Sequence, residues 1–246
     1  MNHFWESSDT IGKGLGFSHF DACHLFWLSL FVGVVLANVI WYRRMDEKGR
    51  RRWRIAVASL IVVDELYKII GLAAFGHYTL DYLPLHLCSI NIILIAIHAI
   101  KPSRLLDNFL YGVCIPAALM ALLFPTWTKL PMANFMHLHS FTVHILLALY
   151  PLVLFAAGDI RPRAREIPRC LLFLIALAIP IYGFNVLFDT NFMFLISASK
   201  GNPLYWFQTH WGSHLLGFPV LIPVVLVVMY LPLEGIRRYC RSIKSN

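Results

Sequence analysis

Apolar residues occur along the chain in seven runs of about 16 to 23 residues, separated by shorter polar stretches. A helix needs about 20 apolar residues to cross the hydrocarbon core of a bilayer, so each run has roughly the length of a membrane span. Backbone groups in lipid must be hydrogen-bonded within the segment, which makes helices the expected structure. The predicted spans lie near residues 20–42, 55–76, 85–100, 109–124, 136–157, 171–188 and 214–233.

Composition supports this pattern. Of 246 residues, 59% are hydrophobic and only 14% are charged, whereas a soluble domain carries about 25% charged residues. We therefore predict an all-α, polytopic integral membrane protein in which residues 1–246 form a single seven-helix transmembrane domain. The first run, 20–42, precedes a basic block rather than a cleavage site, so we expect it to be retained as a helix.

The loops differ in charge according to the side of the membrane that they would face. One side carries seventeen basic residues, and the other carries only Lys13, Lys129 and Lys200. The positive-inside rule then predicts an outside N-terminus and a cytoplasmic C-terminus in the inner membrane. The net charge of +8 is explained by this topology and by possible contacts with anionic headgroups, and we expect no nucleic-acid partner. The longest connection, residues 189–213, is rich in aromatic residues and should lie at the interface.

The cysteines show neither a CxxC pair nor a repeated spacing, which argues against a disulfide framework or a zinc finger. There are five of them: Cys23, Cys88, Cys114, Cys170 and Cys240.

Ionisable residues inside spans are costly and are candidates for function. The second span carries Asp64, Glu65 and Lys68. Asp64 and Lys68 have the i, i+4 spacing of a helical ion pair with the acid first. These charges are either a structural pair or a coupling or proton-handling site.

The third span opens with the sequence Leu-Pro-Leu-His-Leu-Cys-Ser-Ile-Asn, residues 83–91. Pro84 suits a first helical turn. Cys88 and Asn91 share a helix face at i, i+3, and His86 points elsewhere. A lone membrane cysteine is usually an apolar filler, so the spacing alone does not make Cys88 a nucleophile.

Three further groups of polar residues lie at span ends. His137, Ser140 and His144 form a stripe on the fifth span, where His137 and His139 suit interfacial hydrogen bonding. Tyr182, Asn185 and Asp189 repeat this spacing on the sixth span, and His210 and His214 have metal-ligand spacing. With the predicted topology, these groups all lie in the outer half of the bilayer, which indicates an outward-opening pocket.

The chain resembles the bacterial YwaF-type integral membrane proteins and, more distantly, the eukaryotic transmembrane protein 164 group. The resemblance rests on Leu-Pro-Leu-His-Leu-Cys at residues 83–88, the histidine-bearing start of the fifth span, Phe-Asn-Val-Leu-Phe-Asp-Thr-Asn-Phe-Met-Phe-Leu at 184–195, and Asn-Pro-Leu at 202–204. It implies acyl transfer between phospholipids or lysophospholipids through a cysteine and a histidine, without a cofactor. The matching residues here are Cys88 and His144.

In such an enzyme Asn185 or Asn91 would donate to the oxyanion, and His86 or Asp189 would orient the base. Three alternatives remain open. A zinc hydrolase would use His210 and His214 with His137, His144 or Asp189. A transporter would use Asp64, Glu65 and Lys68, and a scaffold would need none of these residues. The sequence does not separate transferase from hydrolase.

Overall fold

The computed structural model describes residues 3–7, 10–12, 14–198 and 202–245, and for residues 238–245 it describes the backbone alone. Lys13 and Lys200 of the topology prediction lie outside the described residues, as do the side chains of Arg238, Cys240, Arg241 and Lys244. The described chain consists of helices, turns and loops, without a β-strand, so the all-α prediction is confirmed.

Nine α-helices follow one another in the part of the chain that the structure describes. They are α1 (Ala22–Arg43), α2 (Glu47–Ala74), α3 (Leu87–Ile100), α4 (Arg104–Phe109), α5 (Ile115–Leu123), α6 (Phe135–Ala157), α7 (Ile167–Phe188), α8 (Pro203–Trp211) and α9 (Phe218–Ser245). A π-helical turn, Leu110–Cys114, joins α4 to α5. Short 3₁₀ turns lie at Leu80–Tyr82, Ala164–Glu166, Phe192–Phe194 and His214–Gly217.

Six segments of the described residues are long and apolar enough to cross a membrane, so this is a multi-pass membrane protein. They are Ala22–Arg43, Leu80–Ile100, Arg104–Leu123, Phe135–Ala157, Ala164–Phe188 and His214–Arg237. Helix α2 has 28 residues but is not among them, and its apolar part contains Asp64, Glu65 and Lys68. The count of seven spans, the orientation and the single domain stay predictions.

Several predicted helix ends are wrong. Helix α3 begins at Leu87, so Pro84 lies before the helix and not in its first turn. The fourth span begins at Arg104 rather than near residue 109, because the hydroxyl of Ser103 caps it by accepting the N–H of Leu106 at 3.3 Å. The long connection after the sixth span contains a helix of its own, α8.

Short polar side chains fix the starts of three long helices. Asp21 caps α1 by accepting the N–H of His24, Asp46 caps α2, and Asn134 caps α6. Such caps satisfy N–H groups that have no partner inside the helix. The N–H groups of Ser18 and His24 hold the pKa of the Asp21 carboxyl below its usual range.

Helix α6 lies at the centre of the packing. It contacts α1, α2, α3 and α5, and both Tyr150 and Val153 on it are fully buried. Helices α7 and α9 instead expose large apolar side chains, such as Leu187 and Leu231. That distribution is the one expected where lipid rather than water surrounds the outer helices.

Candidate functional site

A buried ion pair joins two residues of α2 at the interface of α2, α3 and α6. Lys68 Nζ lies 2.5 Å from Glu65 Oε1, and the two residues are only 7% and 8% exposed. From α3, the hydroxyl of Ser89 donates to the same Glu65 oxygen at 3.4 Å. The ammonium therefore has its counter-ion within the protein, as a charge removed from water requires.

Asp64 does not pair with Lys68, so the predicted i, i+4 pair is wrong. Its Oδ2 accepts a hydrogen bond from the hydroxyl of Thr142 on α6 at 2.8 Å. The ring of His139, also on α6, lies between two carboxylates, with Nδ1 3.4 Å from Asp64 and Nε2 3.6 Å from Glu65. Although Nδ1 is this close to Asp64, it forms no hydrogen bond in the described structure.

Cys88 is the second residue of α3 and is partly buried. His86 precedes the helix, and no side chain caps its first turn. The N–H groups of an uncapped helix start carry partial positive charge, which favours an anion. Cys88 also lies within reach of the charges of Lys68 and Glu65. The charges of Lys68 and Glu65 act on this thiol in opposite directions, so the start of the helix is the feature that favours an anion at Cys88.

His144 lies on α6, within reach of the charges of the same Lys68 and Glu65. Its ring stacks on Trp127 with 5.3 Å between centroids. Its Nδ1 is 2.6 Å from the carbonyl oxygen of Ser140. A carbonyl only accepts, so Nδ1 carries the proton, and in the neutral ring Nε2 has a free lone pair. No hydrogen bond joins Cys88 to His144 among the described residues.

Two further predicted site residues lie on or beside α3. Asn91 is 1% exposed, and its Oδ1 has no hydrogen-bond partner in the described structure. Buried amide oxygens are normally bonded, so this one marks a place where a water or a ligand group would be favoured. His86 instead contacts the loop after α7. Its Nδ1 accepts a hydrogen bond from the N–H of Met193 at 3.4 Å, and its ring contacts Phe192.

Asn185, from the predicted stripe on the sixth span, binds the loop that follows its own helix. Asn185 Oδ1 accepts from Thr190 Oγ1 and from the N–H of Phe192, both at 2.9 Å, and its Nδ2 donates to the carbonyl of Phe192 at 3.0 Å. These bonds hold the loop that follows α7. Asp189 ends that helix in a left-handed conformation and is exposed. Asn185 thus has a structural role, and within the described part of the chain Asp189 forms no hydrogen bond or ion pair with a candidate base.

The predicted metal ligands do not converge either. His210 and His214 lack the helical i, i+4 geometry, because α8 ends at Trp211 and Gly212 turns the chain with φ +76°. His137 donates from Nδ1 to the carbonyl of Leu130 and accepts the Trp27 N–H at Nε2, which occupies both ring nitrogens. Among the described residues, no three His, Cys, Asp or Glu side chains form a metal site.

Sequence reasoning missed three side chains that contact the carboxylates of α2, namely Ser89, His139 and Thr142. It also missed Trp127, on which His144 stacks. His139 was predicted to be interfacial, yet it is 5% exposed beside two carboxylates. The signal that could have identified it is the i, i+3 spacing of His139 and Thr142, which turns both toward the same neighbouring helix. The partner helix could not be identified from that spacing.

A protein-family model matches most of the chain. The model described as TMEM164 family matches residues 15–230 of the chain, which covers every long helix except the end of α9. No curated protein and no solved structure matches.

Proposed function

The chain belongs to the TMEM164 family, and from this membership and the positions of Cys88 and His144 we propose that it is a membrane-embedded lipid-modifying enzyme. Its reaction would move an acyl chain between phospholipids through a Cys88 thioester. One observation carries the proposal: a thiol at an uncapped helix start and a histidine with a free ring nitrogen both lie near the buried Lys68–Glu65 pair. We place the protein in the cytoplasmic membrane with its N-terminus outside.

In the first half-reaction, His144 Nε2 takes the proton of the Cys88 thiol, and the sulfur attacks the ester carbonyl of a phospholipid. A carbon–sulfur bond forms, and the carbon–oxygen bond to the glycerol breaks. The imidazolium returns its proton to the departing lysolipid oxygen. The two side chains are not hydrogen-bonded in this structure, so a motion must bring them into contact before the proton moves.

In the second half-reaction, the hydroxyl of another lysolipid attacks the thioester carbonyl. His144 removes the hydroxyl proton and returns it to the Cys88 sulfur as the carbon–sulfur bond breaks. Water in place of the lysolipid would give hydrolysis. The difference between transferase and hydrolase thus depends on whether water reaches the thioester.

The tetrahedral intermediate of each step needs hydrogen-bond donors for its oxyanion. The uncapped N–H groups at the start of α3 are beside Cys88, and they take the role that the sequence suggested for Asn185. Asn91 lies one turn further along α3 and remains a second donor. Removing one such donor typically costs about 3–4 kcal/mol of transition-state stabilisation.

Acyl capture tests this proposal. Purified protein in detergent is incubated with a phospholipid mixture, and its intact mass is measured with and without hydroxylamine. We expect a fatty-acyl adduct that hydroxylamine removes and that Cys88→Ala does not form. If lipids turn over without an adduct and EDTA stops the turnover, the reaction is metal-dependent and the assignment of Cys88 is wrong.

Two variants sharpen the result. Cys23→Ala is the matched control, since Cys23 is also partly buried and has its Sγ 4.0 Å from a histidine, His137. That variant should keep the adduct. His144→Phe keeps an aromatic ring against Trp127 but removes the base, so it should form adduct at least about a hundredfold more slowly. An unchanged rate would exclude His144 as the base.

A transporter is the second candidate, because Asp64, Glu65 and Lys68 all contact polar or charged groups of the protein. Intramembrane charges with such partners are found along ion and proton pathways. Asp64→Asn should abolish transport in that case while leaving acyl capture intact. Loss of a cellular function in Asp64→Asn but not in Cys88→Ala would favour the transporter.

A further inference from the structure

A separate cleft lies at the opposite, basic end of the bundle, between the α1–α2 turn and the end of α6. It has a volume of about 430 Å³ and is lined by Met45, Glu47, Arg50, Arg54 and Asp159. The lining carries two positive and two negative side chains, so the cleft is neutral as a whole. How those charges are paired decides what it can bind.

Both oxygens of the Asp159 carboxylate already have partners in the protein. Its Oδ2 accepts from the hydroxyl of Tyr42 at 2.7 Å and lies 3.5 Å from Arg54 Nη1. Its Oδ1 accepts from Arg50 Nη1 at 2.6 Å. Both guanidinium groups thus share one carboxylate, and the second negative charge of the cleft, that of Glu47, is not paired with either of them.

Arg54 has an unused donor. Its contacts with Asp159 and Tyr42 both run through Nη1, and its Nε is buried without an acceptor among the described residues. A buried N–H without a partner is costly, so an acceptor at this place is favoured. The Nε edge of a guanidinium matches two oxygens of a phosphate, which makes a phosphate group a suitable acceptor.

Glu47 supplies the opposite charge. It is exposed and makes no ion pair or hydrogen bond in the part of the chain that the structure describes. Glu47, Arg50 and Arg54 are spaced i, i+3, i+7 and so lie along one face of α2. The rise from Glu47 to Arg50 is about 4.5 Å at 1.5 Å per residue. A positive group held by Glu47 would therefore lie one helical turn from an anion held by the arginines.

The cleft lies where the apolar helices end. Helix α1 ends at Arg43 and α6 ends at Ala157, and the neighbouring Trp41 is 62% exposed. Tryptophan is enriched at the level of lipid headgroups. A molecule in this cleft would therefore be at headgroup depth, with its acyl chains free to follow the apolar surface of α1.

We propose that this cleft binds the head group of a zwitterionic phospholipid with a primary ammonium, such as a phosphatidylethanolamine. The phosphate contacts Arg54 and Arg50, and the ammonium contacts Glu47. The site is at the other end of the bundle from Cys88 and does not depend on the proposed acyl transfer.

Native mass spectrometry of delipidated protein tests the site with dioleoylphosphatidylethanolamine, dioleoylphosphatidylglycerol or inorganic phosphate. We expect the ethanolamine lipid to bind more tightly than the glycerol lipid. Arg54→Gln should weaken both lipids about tenfold or more, because a charge-assisted bidentate contact is lost. Arg51→Gln is the matched control, since Arg51 is exposed on the same helix and does not line the cleft.

Glu47→Gln gives the sharper test, because Glu47 holds no other described residue and its loss should leave the fold unchanged. The preference for ethanolamine over glycerol should fall about two- to fivefold, the scale of an exposed ion pair, while binding of the glycerol lipid persists. An unchanged preference overturns the assignment of Glu47. Displacement of the lipid by inorganic phosphate would show that the cleft binds a free anion rather than a lipid. Equal lipid binding by Arg54→Gln and Arg51→Gln would show that the charged residues of the cleft form only a structural ion pair.

Discussion

Lys68→Met should destabilise the protein far more than the loss of an ordinary ion pair. Lys68 and Glu65 are 7% and 8% exposed, and their charged atoms are 2.5 Å apart. After the substitution, the partners of Glu65 among the described residues are a long hydrogen bond from Ser89 and the nearby ring of His139. Removing one partner of a buried pair typically costs about 3–5 kcal/mol, because the remaining charge is left without compensation.

The loss is measurable as a change in melting temperature. For a domain of this size, 1 kcal/mol corresponds to about 2–4 °C, so even about 3 kcal/mol predicts a fall of about 6–12 °C for Lys68→Met. Differential scanning fluorimetry in one detergent measures it. The double variant Glu65→Gln with Lys68→Met removes both charges, so most of the lost stability should return.

Arg169→Met is the matched control. Arg169 pairs with Glu166 at the same i, i+3 spacing and 3.0 Å, but the Arg169 side chain is 77% exposed. The buried Glu166 carboxylate has a second partner, Arg165, at 3.5 Å. A pair with a solvent-exposed partner contributes about 0–1 kcal/mol, and Arg165 still compensates Glu166, so the melting temperature should barely change. Equal falls in melting temperature for Lys68→Met and Arg169→Met would refute the argument that burial makes the Lys68–Glu65 pair important for stability. So would a double variant no more stable than Lys68→Met.

Two further substitutions test local structure. Asn185→Ala removes three hydrogen bonds that hold the loop after α7, and each contributes about 1 kcal/mol to stability. Limited proteolysis should therefore cut residues 189–198 faster in the variant than in the wild type. An unchanged rate of cleavage would show that Asn185 does not hold this loop. Gly16→Ala would place Cβ 2.0 Å from the carbonyl oxygen of Thr128, so it should lower the melting temperature. Gly33→Ala, with nothing within 4 Å of the added Cβ, should not, and equal behaviour of the two would contradict this packing.

The long apolar runs predicted the helices well because run length is a local property that lipid enforces directly. The ends were less predictable. Ser103 starts α4 well before the apolar run begins, and the aromatic stretch after α7 folds into α8. Both depend on capping and turn geometry that hydropathy does not register.

The partners of the intramembrane charges could not be read from spacing. Lys68 is three residues from Glu65 and four from Asp64, and a helix permits either pair. Thr142 decides the choice, because it binds Asp64 from α6 and leaves Glu65 to Lys68. Similarly, Asn185 and Asp189 share a helical spacing, yet the helix ends at Asp189 and the amide of Asn185 turns to the loop.

The resemblance to the transmembrane protein 164 group is confirmed by the family match, while the likeness to YwaF-type proteins stays a prediction. The roles of Cys88 and His144 came from that resemblance, since their separate spans gave no distance between them. The structure brings both near one ion pair. Spacing within a single helix could not have shown this.

The packing of α1 has a consequence for how the chain is assembled during synthesis. Helix α1 packs mainly on α6 rather than on α2, which follows it. The N-terminal residues likewise dock on α6, where Asn134 donates to the carbonyls of His3 and Glu6. These contacts join residues more than 100 positions apart, and such distant contacts form late. Helix α1 must therefore stay in the bilayer, with the side that later packs on α6 exposed to lipid, until helix α6 has been synthesised and inserted.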